Sequence, residues 1–337
     1  MARTYIIAEA GVNHNGSLEL AFRLVDEAKA AGADCVKFQT FKAERIVTAS
    51  SPKANYQLEV TDRAESQFDM LRKLELDRDA FARIQAHCRQ VGIDFMSTPY
   101  NPEDAELLAS LDVDAFKIAS GQVVELPFLR QVARYGRRMI VSTGMADMQE
   151  VREAVDAIRG TGNNDLVILQ CNTDYPSRVE DVNLRAMLTM RDELKVRVGY
   201  SDHVPDNHAC FAAVALGAEM IEKHFTLDRT MPGPDHSSSL EPAAFRDLVT
   251  GIRAVELSLG DGIKRPGERE RANTFGMRRS LVAARELPAG HVLAEADLGF
   301  KRPANGLSPK HLDAVVGRRL ARALRVDEAL TWEHLHP

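Results

Sequence analysis

Four basic residues of this sequence stand at positions that packing alone does not explain. Lys37 and Lys117 each lie within a short apolar run, and His203 and His224 each lie at the end of one. A buried ammonium group without an anionic partner is energetically costly, so both lysines require one. Glu9 is a candidate partner for one lysine, and a phosphate or carboxylate ligand could pair with both. The lysines therefore predict an anion-binding site.

The two histidines indicate a metal ion beside this anion. They end consecutive apolar runs, and adjacent strands lie ~4.8 Å apart, so both imidazoles can reach one ion. Glu222 lies two residues before His224 on the same strand face, where it could act as a base or bind the ion through water. Two alternatives stay open: Lys117 forms a Schiff base, as in sugar aldolases, or the histidines are only hydrogen-bonded.

Eight short apolar runs carry these residues. They are Tyr5–Ala10, Cys35–Gln39, Ile93–Ser97, Ala115–Ala119, Met139–Thr143, Leu166–Cys171, Val196–Tyr200 and Met220–His224. Amphipathic stretches ending in glycine lie between several of them, which is typical of helices that connect parallel strands. Eight such units favour an α/β protein with a (β/α)8 TIM barrel over the alternative, a doubly wound sheet. Every run ends in polar residues, and in that fold the C-terminal strand ends form the site.

The composition changes after about residue 260. The segment GDGIKRPGERERANTFGMRRS is rich in Gly, Arg and Pro, which indicates a linker. Turn signals at Pro288-Ala289-Gly290 and Pro303-Ala304-Asn305-Gly306 then separate short strand-like runs. We therefore predict a barrel domain at residues 1–262, a linker at 263–278 and a small β-rich domain at 279–337.

The overall composition argues against several classes of protein. The chain of 337 residues has a formal net charge of -6, which does not suit a nucleic-acid-binding protein. Its four cysteines are scattered among apolar neighbours, which favours buried thiols over disulfides or zinc sites. The start of the sequence does not resemble a signal peptide, and no apolar run reaches ~18 residues. We therefore expect a cytoplasmic protein without a membrane segment.

Several segments together resemble the sialic acid synthase family. They are AEAGVNHNGSLELAFRLVDEAKAAGADCVKFQT, FKIASGQ, STGM, GYSDH, EKHFTLDRTMPGPDHSSSLEP and FKRPANG. The resemblance implies a TIM barrel followed by an antifreeze-like (SAF) domain, in a domain-swapped homodimer. It also implies that phosphoenolpyruvate condenses with an N-acyl mannosamine-type sugar and that phosphate is released. The implied cofactor is a divalent metal, with manganese expected first and magnesium or cobalt as alternatives.

The resemblance assigns roles to the residues that match the family's motifs. Phosphoenolpyruvate is expected to contact Lys37, Thr98, Lys117, Ser120 and Ser201. The expected metal ligands are His203 and His224, and catalysis is assigned to Glu9, Glu222 and Lys117. The sugar is expected to contact Glu9, Gln39, Tyr175, Asp235 and Arg302. Of these, Arg302 would reach the site of the other chain in the dimer.

Two positions depart from the family pattern. After KIASG the family usually carries an acidic residue, whereas this chain has Gln122, which we group with the sugar contacts. An amide cannot do the proton transfer that a carboxylate does, so Glu222 or Glu9 would act instead, or the substrate differs. The asparagine before the Tyr-Pro pair is also displaced, so both Asn172 and Thr173 are candidate phosphate contacts.

The resemblance leaves the sugar open. The first expectation is an N-acetylneuraminate synthase, and the alternative is an N,N'-diacetyllegionaminate synthase acting on a diacetamido-trideoxy hexose. The two sugars differ at C4 and C6, and the sequence does not identify the side chains near those carbons. The residues SFE do not follow KIA in this chain, which disfavours a pseudaminate synthase. A non-catalytic sugar-acid-binding protein is a third alternative, which Gln122 keeps open.

Overall fold

The computed structural model describes residues 3–53, 58, 61–62 and 64–337. The chain divides into two compact units, Met1–Gly260 and Asp261–Pro337. The sequence-based boundaries at 262 and 278 stay a prediction. Residues 41–76 form the longest insertion between the βα units, and positions 54–57, 59–60 and 63 of it lie outside the described residues.

The first unit is built on eight parallel strands. They are Tyr5–Gly11 (β1), Cys35–Thr40 (β2), Asp94–Pro99 (β3), Ala115–Ile118 (β4), Arg138–Ser142 (β5), Leu166–Cys171 (β6), Arg197–Asp202 (β7) and Met220–His224 (β8). Their order in the sheet is β3-β2-β1-β8-β7-β6-β5-β4. Because β3 and β4, at the two ends of this order, also contact each other, the sheet forms a nearly closed barrel. The predicted TIM-barrel fold is confirmed.

Helices cover the outside of this barrel. The described α-helices of the first unit are Leu18–Ala31 (α1), Ala43–Ile46 (α2), Gln67–Arg72 (α3), Arg78–Val91 (α4), Pro102–Ser110 (α5), Leu126–Ala133 (α6), Met148–Arg159 (α7), Arg185–Leu194 (α8), His208–Ala215 (α9) and Pro242–Leu259 (α10). Local signals set their ends. Ser17 accepts a hydrogen bond from the Leu20 amide at the start of α1, and Gly32 ends that helix with φ +91°.

Alternate residues of the strands point into the barrel and form layers there. A lower layer is apolar and includes Ile7, Cys35, Ala115 and Met220. Two residues further along the same four strands come Glu9, Lys37, Lys117 and Glu222. Side chains at positions i and i+2 of a strand share a face, so these four form a charged layer above the apolar one. The strand period thus places the charges inside the barrel, near its C-terminal end.

The second unit has its own small core. Strands Ser280–Ala283 (β9) and Leu298–Lys301 (β10) pair antiparallel, and single β-bridges join further segments. Three short helices belong to this unit: Glu268–Ala272 (α11), Thr274–Met277 (α12) and Leu312–Val315 (α13). Buried side chains such as Leu281, Leu293 and Leu330 form its core. Two of the helices therefore lie within the segment that the sequence presented as a linker.

Two further expectations can be compared with the structure. The four cysteines are buried free thiols, as predicted. Among the residues that the structure describes, none of the helices combines the length and apolar character that a bilayer span requires.

Candidate functional site

A cavity of about 380 Å³ opens at the C-terminal ends of the barrel strands. Most of the side chains that the sequence singled out line it. They are Glu9, Lys37, Gln39, Thr98, Lys117, Ser120, Gln122, Thr173, Tyr175, Ser201, His203, Glu222, His224 and Asp235. These residues come from six strands and from the loops after β4, β6, β7 and β8, so the closed sheet brings them together.

Two lysines and two glutamates form the base of the cavity. Lys37 makes an ion pair with Glu9, and its Nζ lies 3.5 Å from Oε2 of Glu222. Nζ of Lys117 lies 3.3 Å from Oε1 of Glu222. Ser201 donates a hydrogen bond of 2.9 Å to the same Oε1 atom. All four charged side chains are at least 95% buried, so each charge depends on its neighbours rather than on water.

This arrangement shifts the pKa values of the cluster. Burial lowers the pKa of Lys37 to about 7, although Glu222 favours its charged form. Burial raises the pKa of Glu222, but Lys117 and Lys37 outweigh this and bring that pKa to about 2. Glu222 is therefore a carboxylate at neutral pH, and it lies within ion-pair distance of both lysines. An incoming anion must compete with Glu222 and Glu9 for the ammonium groups.

Hydroxyl and amide groups surround the lysines on one side of the cavity. Oγ of Ser120 accepts a hydrogen bond of 3.0 Å from the Gly144 amide, and Lys37 donates one of 3.3 Å to Oγ1 of Thr98. Ser142 also lines the cavity, and its buried hydroxyl has no hydrogen-bond partner. Such donors beside paired ammonium groups suit a phosphate. Ser142 is not among the predicted site residues, although it is the last residue of β5.

The two predicted metal ligands lie next to each other at the rim. The ring centroids of His203 and His224 are 5.2 Å apart, and the Tyr175 ring packs against both. Nδ1 of His203 lies 2.5 Å from the Asn172 carbonyl oxygen, to which it donates, so its Nε2 faces the other way. Nδ1 of His224 is buried without a hydrogen-bond partner. Burial and the neighbouring His203 hold the pKa of His224 well below its usual value, which keeps that imidazole neutral.

These histidines fit a divalent metal ion as a partial set of ligands. Neutral imidazoles are ordinary metal ligands, and a buried nitrogen without a partner needs one. Within the described part of the chain, no group of three or more His, Cys, Asp or Glu residues is arranged to hold an ion. Water and substrate would therefore have to supply the remaining ligands.

A further part of the cavity lining combines a few polar groups with an apolar wall. Nε2 of Gln39 donates a hydrogen bond of 3.4 Å to Glu9, and its Oε1 accepts one of 3.3 Å from the Tyr100 hydroxyl. Asp235 is buried in the loop after β8, and this burial raises its pKa to about 6. The wall is formed by Val12, Phe41, Ile46, Val47 and Leu71. Four of these five come from the long insertion after β2.

Two predicted contacts hydrogen-bond to backbone carbonyls, and the contact expected from the other chain lies in the second unit. The Asn172 side chain is not among the described residues that line it; its amide donates instead to the Asp181 carbonyl at 2.7 Å. Gln122 lines the cavity, but its amide nitrogen donates to the carbonyls of Pro99 and Tyr100, each at 3.2 Å. Arg302 is exposed in the second unit. No pattern of residues indicates the backbone contacts of Asn172 and Gln122.

Comparison with known proteins identifies the family. The NeuB family model matches residues 24–264, and the SAF domain model matches residues 278–336. The chain is 44% identical to the N,N'-diacetyllegionaminic acid synthase of Campylobacter jejuni, covering 98% of this chain and 99% of that protein. It is 33% identical to the N-acetylneuraminate-9-phosphate synthase of Homo sapiens, covering 98% and 92%. The crystal structure of the N-acetylneuraminic acid synthetase of Leptospira borgpetersenii matches with a TM-score of 0.72 at 32% identity, covering 81% of this chain and 90% of that one.

These matches agree with the resemblance drawn from the motifs. The NeuB match covers most of the barrel, and the SAF match covers most of the second unit. The predicted class of enzyme, a phosphoenolpyruvate-dependent synthase, is thereby confirmed. The chain therefore belongs to the NeuB family of sialic acid synthase-like enzymes and carries a SAF domain after its barrel.

Proposed function

We propose that this enzyme condenses phosphoenolpyruvate with an N-acyl mannosamine-type sugar. The products are a 2-keto-3-deoxy nine-carbon acid and phosphate. The observation that carries the proposal is the shared cavity: two buried lysines and two adjacent histidines line the same space. An enol phosphate and an aldehyde can be held there together, and much of the rate enhancement would come from this positioning.

Lys37 and Lys117 bind the anionic groups of phosphoenolpyruvate, and the hydroxyls of Thr98, Ser120 and Ser201 add hydrogen bonds. C3 of the enol attacks the aldehyde carbon of the open-chain sugar, and positive charge develops at C2. Water then adds to C2, and Glu222 or Glu9 accepts its proton. The intermediate loses phosphate when its C–O bond breaks, which leaves the keto group.

His203 and His224 would hold the divalent metal. When bound, the metal would act as a Lewis acid on the sugar aldehyde. Manganese is our first candidate for the ion, with magnesium and cobalt as alternatives. The protein's own contribution is to keep the two imidazoles adjacent, to orient His203 through its contact with the Asn172 carbonyl, and to keep His224 neutral by burial.

The sugar is proposed to be a diacetamido-trideoxy hexose, with N-acetylmannosamine as the second candidate. Identity to the Campylobacter diacetyllegionaminic acid synthase is 44%, against 33% to the human N-acetylneuraminate-9-phosphate synthase. The apolar wall of Val12, Phe41, Ile46, Val47 and Leu71 favours the same choice. A wall of this kind suits the methyl groups of a 6-deoxy, twice N-acetylated sugar, whereas a hydroxyl placed there would lose its hydrogen bonds with water.

A phosphate-release assay with a panel of sugars tests this proposal. The purified enzyme would be incubated with phosphoenolpyruvate, Mn²⁺ and either candidate sugar. We expect phosphate and a keto acid in equal amounts, with a higher kcat/KM for the diacetamido sugar. If neither sugar leads to release of phosphate, the result would support a non-catalytic sugar-acid-binding protein instead. Trapping of Lys117 by borohydride in the presence of substrate would support the Schiff-base alternative.

A glycine beside the phosphate-binding hydroxyls allows a prediction. A Cβ atom at Gly144 would lie 2.2 Å from Oγ1 of Thr173 and 2.9 Å from Oγ of Ser120. Gly144→Ala must therefore displace these hydroxyls, and a shift of ~1 Å in a positioning group can lower activity by on the order of 10²-fold. We expect a loss of this size in kcat/KM for phosphoenolpyruvate. Gly276→Ala is the control, because no atom lies within 4 Å of its added Cβ and it is not among the described residues that line the cavity; equal activity of the two variants would contradict the assignment.

The oligomeric role of the second unit is also a proposal. In a domain-swapped homodimer, Arg302 would contact the sugar in the other chain of the dimer. Its exposure within its own unit is compatible with such a role. The cytoplasmic location and the absence of nucleic-acid and membrane partners stay predictions from the sequence.

A further inference from the structure

A second buried ion pair lies on β7 and β8, directly behind the two histidines. Asp202 and Lys223 are 1% and 2% exposed, and they are partners in the ladder between these strands. Each precedes one of the histidines, Asp202 before His203 and Lys223 before His224. Consecutive strand residues point to opposite faces. The ion pair therefore faces the outer helices, while the imidazoles face the cavity.

All three donors of the Lys223 ammonium group are used. Nζ lies 2.5 Å from Oδ2 of Asp202, and 2.6 Å from each of the carbonyl oxygens of Val204 and Asp206. Lys223 on β8 thus binds both the end of β7 and the loop that follows it. The position of His203 between Asp202 and Val204 is fixed on both sides by this one side chain.

Both carboxylate oxygens of Asp202 also accept hydrogen bonds from neighbouring groups. Oδ1 of Asp202 accepts hydrogen bonds from the Tyr200 hydroxyl at 2.7 Å and from the Val204 amide at 2.9 Å. Its Oδ2 also accepts one from the Cys210 thiol on α9, at 3.0 Å. A buried ion pair with complete hydrogen bonding adds little net stability compared with apolar residues of similar volume. The main contribution of the pair is therefore to the geometry of the strand ends and of the loop that it connects.

We propose that Lys223 and Asp202 are positioning residues for the two-histidine site. They hold the ends of β7 and β8 in one register and fix the loop after β7, and so set the spacing of the imidazoles. The inference rests on the proposed function only in taking His203 and His224 as metal ligands. Neither Lys223 nor Asp202 is among the described residues that line the cavity, so they act through the histidines rather than on substrate.

The test separates geometry from stability with two variants. Lys223→Met removes the ammonium group and leaves the Asp202 carboxylate buried without its counter-charge, so its thermal unfolding midpoint should fall. The double variant Asp202→Asn with Lys223→Met carries no buried charge, and most of the lost stability should return. Both variants lack the bonds from Lys223 to the carbonyls of Val204 and Asp206. We therefore expect the Mn²⁺ dissociation constant to rise by on the order of tenfold in both.

The matched control lies at the other end of the same two strands. Arg197 at the start of β7 and Glu219 just before β8 form a partly exposed ion pair with an Nε–Oε2 distance of 2.7 Å. The double variant Arg197→Met with Glu219→Gln should bind Mn²⁺ as the wild type does. Free Mn²⁺ would be titrated by electron paramagnetic resonance below the unfolding midpoint of every variant.

Two outcomes would overturn the inference, and they differ. A wild-type dissociation constant in the Asp202→Asn, Lys223→Met double variant would show that the pair does not position the site, while the proposed function stands. No Mn²⁺ binding by the wild type would remove the metal from the proposed function and this inference with it. The inference is supported if the Asp202→Asn, Lys223→Met variant regains stability but binds Mn²⁺ more weakly, while the Arg197→Met, Glu219→Gln control binds Mn²⁺ as the wild type does.

Discussion

Replacing His224 by alanine is expected to lower kcat by about 10³-fold. A Lewis acid contributes several kcal/mol of transition-state stabilisation, and each 1.4 kcal/mol corresponds to a factor of ten in rate. His224 is one of only two imidazoles lining the described cavity, so its loss leaves the ion a single protein ligand. Its Nδ1 has no other hydrogen-bond partner, so little other structure depends on it. The measurement is the rate of phosphate release at saturating substrates and Mn²⁺.

Removal of the metal from the wild type should have the same effect. Treatment with EDTA is expected to abolish turnover, and added Mn²⁺ should restore it in the wild type but not in the His224→Ala variant. His208→Ala is a suitable control, because His208 is exposed at the start of α9 and is not among the described residues that line the cavity. Full activity of the wild type in metal-free buffer would contradict the metal assignment.

Replacing Lys117 by methionine is the second large expected effect. The variant keeps the volume of the side chain but removes one of the two ammonium groups that face the anion. Loss of one partner from a buried charge pair costs about 3 kcal/mol, which is on the order of 100-fold in affinity. We expect the dissociation constant for phosphoenolpyruvate, measured by calorimetry, to rise by that factor. Glu222 keeps its contacts with Lys37 and Ser201, so the fold should tolerate the change.

Lys117→Arg distinguishes the anion-binding role from the Schiff-base alternative. Arginine keeps the positive charge but has no primary amine, so it cannot form an imine. If Lys117 binds an anion, the arginine variant should bind phosphoenolpyruvate more tightly than the methionine variant. Lys310→Met, at an exposed position of the second unit, should bind it as the wild type does. An unchanged affinity in Lys117→Met would refute the anion-binding role.

The alternation of eight apolar runs with helical stretches made the barrel predictable, and the lysines within two of the runs indicated an anion-binding site inside it. A strand that is buried on both faces is apolar along its whole length, so a lysine within it is easily recognised. Lys37 and Lys117 are such lysines. The histidines at the ends of consecutive runs were placed as neighbours by the same reasoning. Glu9 is a predicted partner for one lysine, and the ion pair of Glu9 with Lys37 is present.

Contacts that depend on the register between distant strands were not predictable in this way. Glu222 pairs with Lys117 although β8 and β4 are not neighbours in the sheet, because both side chains point into the barrel at one level. The Asn172 amide turns to a carbonyl of the following loop, which no residue pattern encodes. The double carbonyl contact of Lys223 likewise depends on the backbone path after β7.

Gln122 has a consequence for how the barrel responds to acid and base. No backbone ladder joins the described residues of β3 and β4, and the Gln122 amide connects their ends through two carbonyl oxygens. A carboxamide neither gains nor loses a proton over the range in which proteins are folded, so this connection persists at any working pH. A glutamate there could donate only while protonated, and its ionised form would repel both carbonyls. With an amide at this position, the link between the ends of β3 and β4 does not depend on protonation. The carboxyl groups of the described cavity that can exchange protons are then Glu9, Glu222 and Asp235.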